Sequence, residues 1–235
     1  AKLVIETPFL LKIPASFSRL GHVETSYQMT QWFPKPAVYD NRGWHAMPYL
    51  DMGEFFSEFG SFDVSITLPD NYVVGATGVL QNASELAFLQ KKEADTRAEI
   101  ARREQLLPDE AKKLSKKSTL PESSRTTKTL RYLADQVHDF AWFADKRFYV
   151  LKDTAQLASG ATVDCWAMFT EEEFNIWKKG AFYVRRSVEF YSQQVGAYPW
   201  PHATAVHSAL SAGGGMEYPM ITVIGDSGNS KSLDE

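Results

Sequence analysis

The chain has 235 residues, a formal net charge of −4 at pH 7, 44% hydrophobic and 23% charged residues, and one cysteine, Cys165. That is enough for one large globular domain or two modest ones. It excludes an intramolecular disulfide and a membrane-spanning apolar run, and the absence of a basic block beside aromatics argues against nucleic acid as the main partner.

The opening "AKLVIETPFLLKIP" reads as strand, so the chain is expected to begin inside a domain, and the missing signal peptide says nothing about the complete protein. Residues 34–53, rich in Pro, Gly and aromatics, read as a long ordered loop packed by its own side chains. In "FDVSITLPDNYVVGATGVL", Phe62, Val64, Ile66 and Leu68 alternate with Asp63, Ser65 and Thr67. That is the period of a strand buried on one face, and 69–71 then forms a turn into the next strand.

Residues 84–118 change to helix formers, split in two by Pro108. Nine basic and six acidic residues between 91 and 117 read as a solvated helical insertion. Asn82 or Ser84 is expected to cap it. Asn82-Ala83-Ser84 is also a glycosylation sequon. β structure resumes through 127–151, then through "TVDCWAMFT" after the turn "ASG", with Cys165 a small buried apolar side chain.

Thr170 with Glu173 predicts a capping box, and Glu171 and Glu172 suit a helix N-terminus. Phe174, Trp177, Ala181, Val184, Val188 and Tyr191 follow at helical spacing, and Gly196 is the expected stop. "HATAVHSAL" and "MITVIG" are strands flanking a glycine-rich stretch. The polar tail "DSGNSKSLDE" follows a strand without finishing an element, so the chain is expected to be cut at both ends.

No H-E-x-x-H, cysteine pair, phosphate loop or G-x-S-x-G elbow is present. His202 and His207, five apart on a strand, point to opposite faces and cannot share a metal there. His22, His45 and His138 sit in aromatic or turn-rich text and read as polar-tipped packing. What remains is "SAGGGMEYPMITVIG", 211–225. Glycines 213–215 allow close backbone approach to a ligand. Glu217 beside a buried strand must face water, a cation or a base. A primary ammonium is one natural guest, held by charge-assisted hydrogen bonds. The plainer reading is a glycine hairpin with an exposed glutamate.

"GGMEYP" resembles the G-x-M-E-N motif of the aminopeptidase N-like zinc peptidases, an H-E-x-x-H family. "QWFPKPAVYDNRGWHAMPY", "SFDVSITLPDNYVVGATGVL" and "HDFAWFAD" are similar to its N-terminal β domain. The resemblance implies an α+β chain: a mainly β, sandwich-like domain over 1–147, with the helical insertion at about 84–118. The first strands and helix of a thermolysin-like catalytic domain follow over 148–235, truncated before the zinc site. In that family the motif lies on an edge strand of the catalytic domain.

The resemblance also implies roles. Glu217 binds the α-amino group of a peptide with a free N-terminus, and Gly214, Gly215 and Met216 run antiparallel to the substrate. An N-terminal-domain Gln, Gln28 or Gln31, adds a subsite group. Gly215 stands where the family has Ala, and Tyr218 where it has Asn. Zn²⁺ and its ligands belong to the full-length enzyme; this chain is expected to hold no catalytic zinc and, alone, to cleave nothing. Relatives suggest a periplasmic, cell-envelope or secreted location. Two rival readings are a catalytically inactive homologue acting as a peptide- or protein-binding module, and a sugar-binding β-sandwich built around Trp32, Trp44 and Tyr49.

Overall fold

A computed structural model describes residues 3–111, 114, 119–208 and 214–225. The fold is α+β, mostly strand with few helices. In the described residues the strands are β1 (Gly21–Val23), β2 (Ser26–Met29), β3 (Val38–Asp40), β4 (Gly43–His45), β5 (Gly60–Pro69), β6 (Val73–Ala76) and β7 (Val79–Leu80), then β8 (Thr127–Val137), β9 (Trp142–Asp145), β10 (Tyr149–Gln156), β11 (Thr162–Phe169), β12 (His202–His207), β13 (Gly215–Tyr218) and β14 (Ile221–Ile224). The helices are α1 (Ala83–Glu104), α2 (Pro108–Ala111), α3 (Phe174–Trp177) and α4 (Gly180–Val195).

An antiparallel sheet of order β1-β2-β9-β6, a three-stranded sheet β5-β8-β7 and the hairpin β3-β4 make up the first part. The alternation at 62–68 is realised in β5, which pairs with β8 from Pro69↔Thr127 to Gly60↔Val137. Ile66 packs with Tyr72, Leu130, Tyr132 and Phe140 in one apolar cluster. Burying each such side chain contributes roughly 1.5–3 kcal/mol. The second part is a mixed sheet, β10-β11-β12-β14-β13. β11, β12 and β14 run parallel and the two edges antiparallel.

One core joins the two parts. Val73 and Phe143 pack with Val150, Met168, Val206, Ile221 and Val223. The sheets approach so closely at Gly75 that a Cβ there would sit 3.0 Å from the Met168 sulfur. Glycine is needed at that point for packing, not for conformation. Cys165 is fully buried on β11, and burial pushes its thiol up to about 11, so it is an unreactive core residue.

Several expectations are corrected. Residues 3–14 form no strand: Leu3, Val4, Ile5 and Leu10 are exposed, an apolar run with no partner strand. The 34–53 segment contains the hairpin β3-β4, closed through Asp40↔Gly43. The charged insertion is docked along β10 rather than simply solvated. Thr96 of α1, 2% exposed, accepts from Val150 N at 3.1 Å, and Arg97 donates to Lys152 O at 2.7 Å. Asn82 occupies the cap position of α1 but makes no side-chain cap bond. Its amide instead donates to Thr129 O and accepts from Arg131 N, which also occupies the nitrogen that a glycan would need.

The Thr170–Glu173 box is not formed either: Glu171–Glu173 is a 3-10 turn without a side-chain cap. The Thr170 hydroxyl meets His207 Nδ1 at 3.2 Å, and Glu171 receives two 2.8 Å bonds from Arg103. The expected single helix is split into α3 and α4, with the break at Lys178 and Lys179. Of its predicted stripe Phe174, Trp177, Ala181 and Val188 are buried, whereas Tyr191 is 60% exposed. Gly196 does end α4, with φ 120°.

Candidate functional site

The glycine-rich stretch becomes a hairpin. β13 pairs with β14 through Gly215↔Ile224 and Tyr218↔Ile221, and Pro219 and Met220 form the two-residue turn. Residues 211–213 lie outside the described residues. Gly214 has φ +65°, which favours glycine, and a Cβ on Gly215 would stand 2.8 Å from Val223 O. The backbone therefore favours glycine at both positions, by conformation at 214 and by close packing at 215.

β13 is the edge strand of its sheet among the described residues, with main-chain groups on one side available to another extended chain. Strand alternation sends Met216 and Tyr218 into the shared core and leaves Glu217 exposed on the opposite face. There Glu217 lines a groove of about 400 Å³ with Tyr183, Ser187, Tyr198, Thr204 and Thr222. No Lys or Arg lines that groove, and among the described residues nothing binds the carboxylate.

Tyr218 is 5% exposed and stacks on Phe55, with centroids 6.4 Å apart and planes at 10°. Its hydroxyl is buried without a hydrogen bond of good geometry. Burial raises it well above the usual phenol range, an effect partly offset by the neighbouring Thr30 hydroxyl. The aromatic loop after β4 thus reaches the candidate strand through Phe55.

Both N-terminal glutamines lie on this side of the molecule. Gln28, 2% exposed, donates to Ser16 Oγ at 2.7 Å and accepts from Ser208 Oγ at 2.9 Å. Ser208 N in turn donates to Ile224 O, opposite Gly215, so Gln28 stands at the glycine end of the hairpin. Gln31, with φ 52°, donates to Asp139 and accepts from Lys35 Nζ at 2.7 Å. Lys35 bonds the fully buried Asp139 at 2.9 Å and sits 4.9 Å from the Phe55 ring centroid. Burial pushes the Lys35 ammonium down, and Asp139 opposes that shift. Gln31 and Lys35 line a cavity of about 450 Å³ with Tyr49, Glu54 and Phe55.

Solved structures with a similar arrangement of elements include M1 zinc metallopeptidases and an aminopeptidase. An M1 zinc metallopeptidase variant from Deinococcus radiodurans aligns over 91% of the chain with 14% identity and a TM-score of 0.52. A two-domain M1 zinc metallopeptidase variant bound to L-tryptophan aligns over 96% with 14% identity and a TM-score of 0.51. Legionella pneumophila aminopeptidase A in complex with aspartic acid aligns over 92% with 12% identity and a TM-score of 0.53. The likeness is one of fold. The chain spans 39%, 42% and 20% of those proteins, respectively. No protein-family model and no curated protein matches the sequence.

Among the described residues no group of three or more His, Cys, Asp or Glu could hold a metal ion. The described side chains therefore do not by themselves supply a zinc ligand set. His202 and His207 serve packing: His202 Nε2 meets Gly78 O at 2.8 Å, and His207 lies against Trp177. No described helix is long and apolar enough to cross a membrane. Sequence reasoning missed Lys35, Asp139 and Phe55 as neighbours of the candidate strand. The family resemblance drew attention to the neighbouring glutamines Gln28 and Gln31, but nothing local signals a partner more than a hundred residues away, as Asp139 is from Gln31.

Proposed function

We propose that this chain is the substrate-anchoring part of a zinc aminopeptidase that removes residues from the N-terminus of peptides. In this reading residues 1–147 are the N-terminal β domain and 148–235 the beginning of a thermolysin-like catalytic domain. The zinc ligands are supplied by residues beyond those described. The fold shared with M1 metallopeptidases supports the class of enzyme.

The observation that carries the reading is the carboxylate of Glu217, which no described residue holds, on what is an edge strand among the described residues, lining a groove with no Lys or Arg in its described lining. Such a group attracts a cation, and a peptide's α-ammonium can satisfy it with charge-assisted hydrogen bonds. The Gly214–Met216 backbone receives the substrate as an added antiparallel strand. The site then measures from the first residue of the substrate, which makes the activity exopeptidic. Gln28 and Gln31 furnish the N-terminal wall of the cleft. Gln31 is the better placed of the two, because it lines a cavity while both ends of the Gln28 amide are bonded within the chain.

The test is discrimination by the full-length protein between peptides with a free N-terminus and the same peptides N-acetylated. Hydrolysis confined to the free-amine series supports the reading. Equal rates on both series contradict it. Binding of free-amine peptides without turnover by the full-length protein instead identifies an inactive, peptide-binding homologue.

A further inference from the structure

The turn of the β13–β14 hairpin is locally unfavourable. Pro219 cannot adopt positive φ, so the left-handed position falls on Met220, with φ 63°. Turns of this shape ordinarily place Gly or Asn there. A strained residue of this kind persists only where its surroundings over-determine it, and three contacts do so. The Thr77 hydroxyl, fully buried, donates to Pro219 O at 2.9 Å and accepts from Ala141 N at 3.2 Å. Thr204 N donates to Met220 O at 2.9 Å. The Met220 side chain, 3% exposed, packs against Ala134 and Val137. Two of these contacts come from the N-terminal sheets, and the strand they hold carries Glu217 three residues before Met220.

We infer that Thr77 and Met220 are positioning residues: the N-terminal sheets fix the placement of Glu217 by clamping the hairpin turn through the Thr77 hydroxyl and the Met220 side chain. The inference rests on the amine-anchor reading of Glu217 for its kinetic consequence, though not for its structural one. Thr77→Val keeps the shape and removes the hydroxyl, so β13 loses its fixed end while the β14 ladder remains. A displaced anchor lowers turnover of a substrate that it must orient, on the order of tenfold or more.

The experiment uses the full-length protein, with kcat/KM on a free-amine aminoacyl chromophore and amide hydrogen exchange at Met216 and Tyr218, which face β14 in the ladder. Thr77→Val is expected to lower kcat/KM by about tenfold or more and to speed exchange at Met216 and Tyr218 relative to β12. Thr77→Ser, which restores the hydroxyl, is expected to return both toward the parent. Parent-like exchange at Met216 and Tyr218 in Thr77→Val overturns the inference. Faster exchange with no kinetic change in either Thr77→Val or Glu217→Gln upholds the clamp and defeats the amine-anchor reading. If Thr77→Val does not fold, Met220→Ala, which keeps the hydroxyl and removes the apolar peg, is read by the same two outcomes.

Discussion

Three buried acids of the N-terminal part and the acid of β13 live in opposite circumstances. Glu85, Asp139 and Asp145 are buried, and each is held by a cation: Lys128 at 2.7 Å, Lys35 at 2.9 Å and Arg147 at 2.6 Å. Glu217 is exposed beside a groove and, among the described residues, is held by nothing. The N-terminal part pairs these buried charges internally, as a scaffold must, because an unpaired buried charge is prohibitive. The hairpin leaves one carboxylate that no described residue holds.

The contrast breaks most visibly at Lys35. Lys35→Met takes the only described cation from Asp139, which is 0% exposed and keeps only the neutral donors Gln31 and Phe140 N, and is expected to cost about 3–5 kcal/mol in denaturant unfolding. A loss under about 1 kcal/mol, within the range for an exposed pair, would remove the claim that these pairs are structural. Gly215→Ala comes next. Its methyl meets the Val223 carbonyl at 2.8 Å, and the overpacking is expected to cost about 1–3 kcal/mol, read from the same curves.

A milder effect comes from His202, whose ring lies between the sheets against Gly78 O and Thr204 Oγ1. Burial lowers its pKa below the ordinary 6.5, and the Gly78 bond opposes that shift. The unfolded chain therefore takes up the proton first. The contribution is complete above about pH 6.5 and is lost as the pH falls toward the folded value. His202→Gln is expected to flatten the stability profile just below pH 6.5; an unchanged slope there counts against it. Smallest of all is the effect of Glu217→Gln on stability, expected within about 0.5 kcal/mol, since no internal partner is lost.

Much of the scaffold was legible because its signals are local and periodic. Phe62, Val64, Ile66 and Leu68 declare a one-faced strand without knowledge of β8, and Phe174, Trp177, Ala181 and Val188 declare a packed helix face. The α1 seam was not legible, because it is polar: Thr96 and Arg97 dock through hydrogen bonds, and charge alone reads as solvation. Thr170 and Asn82 were placed at helix starts, yet their side chains serve distant partners, His207 and β8. In the candidate site Glu217 stood out because a carboxylate between glycines and a core strand is chemically conspicuous. The residues around it did not. Thr77 finds Pro219 across 142 positions and Gln31 finds Asp139 across 108, and no spacing rule spans such separations. Tyr218 stands out in the sequence only as a departure from the family's Asn, and its stacking on Phe55 appears only in the fold.

The most direct measurement is kcat/KM of the full-length protein and its Glu217→Gln variant on a free-amine substrate and on its N-acetyl counterpart. Losing the charged partner of a desolvated ammonium costs at least about 2 kcal/mol. The variant should therefore lose at least about thirtyfold on the free-amine substrate, falling toward the rate on the acetylated one, which the parent barely cleaves. A variant as fast as the parent on the free amine, or a parent that cleaves both substrates equally, would show that this carboxylate does not hold the peptide's amino terminus.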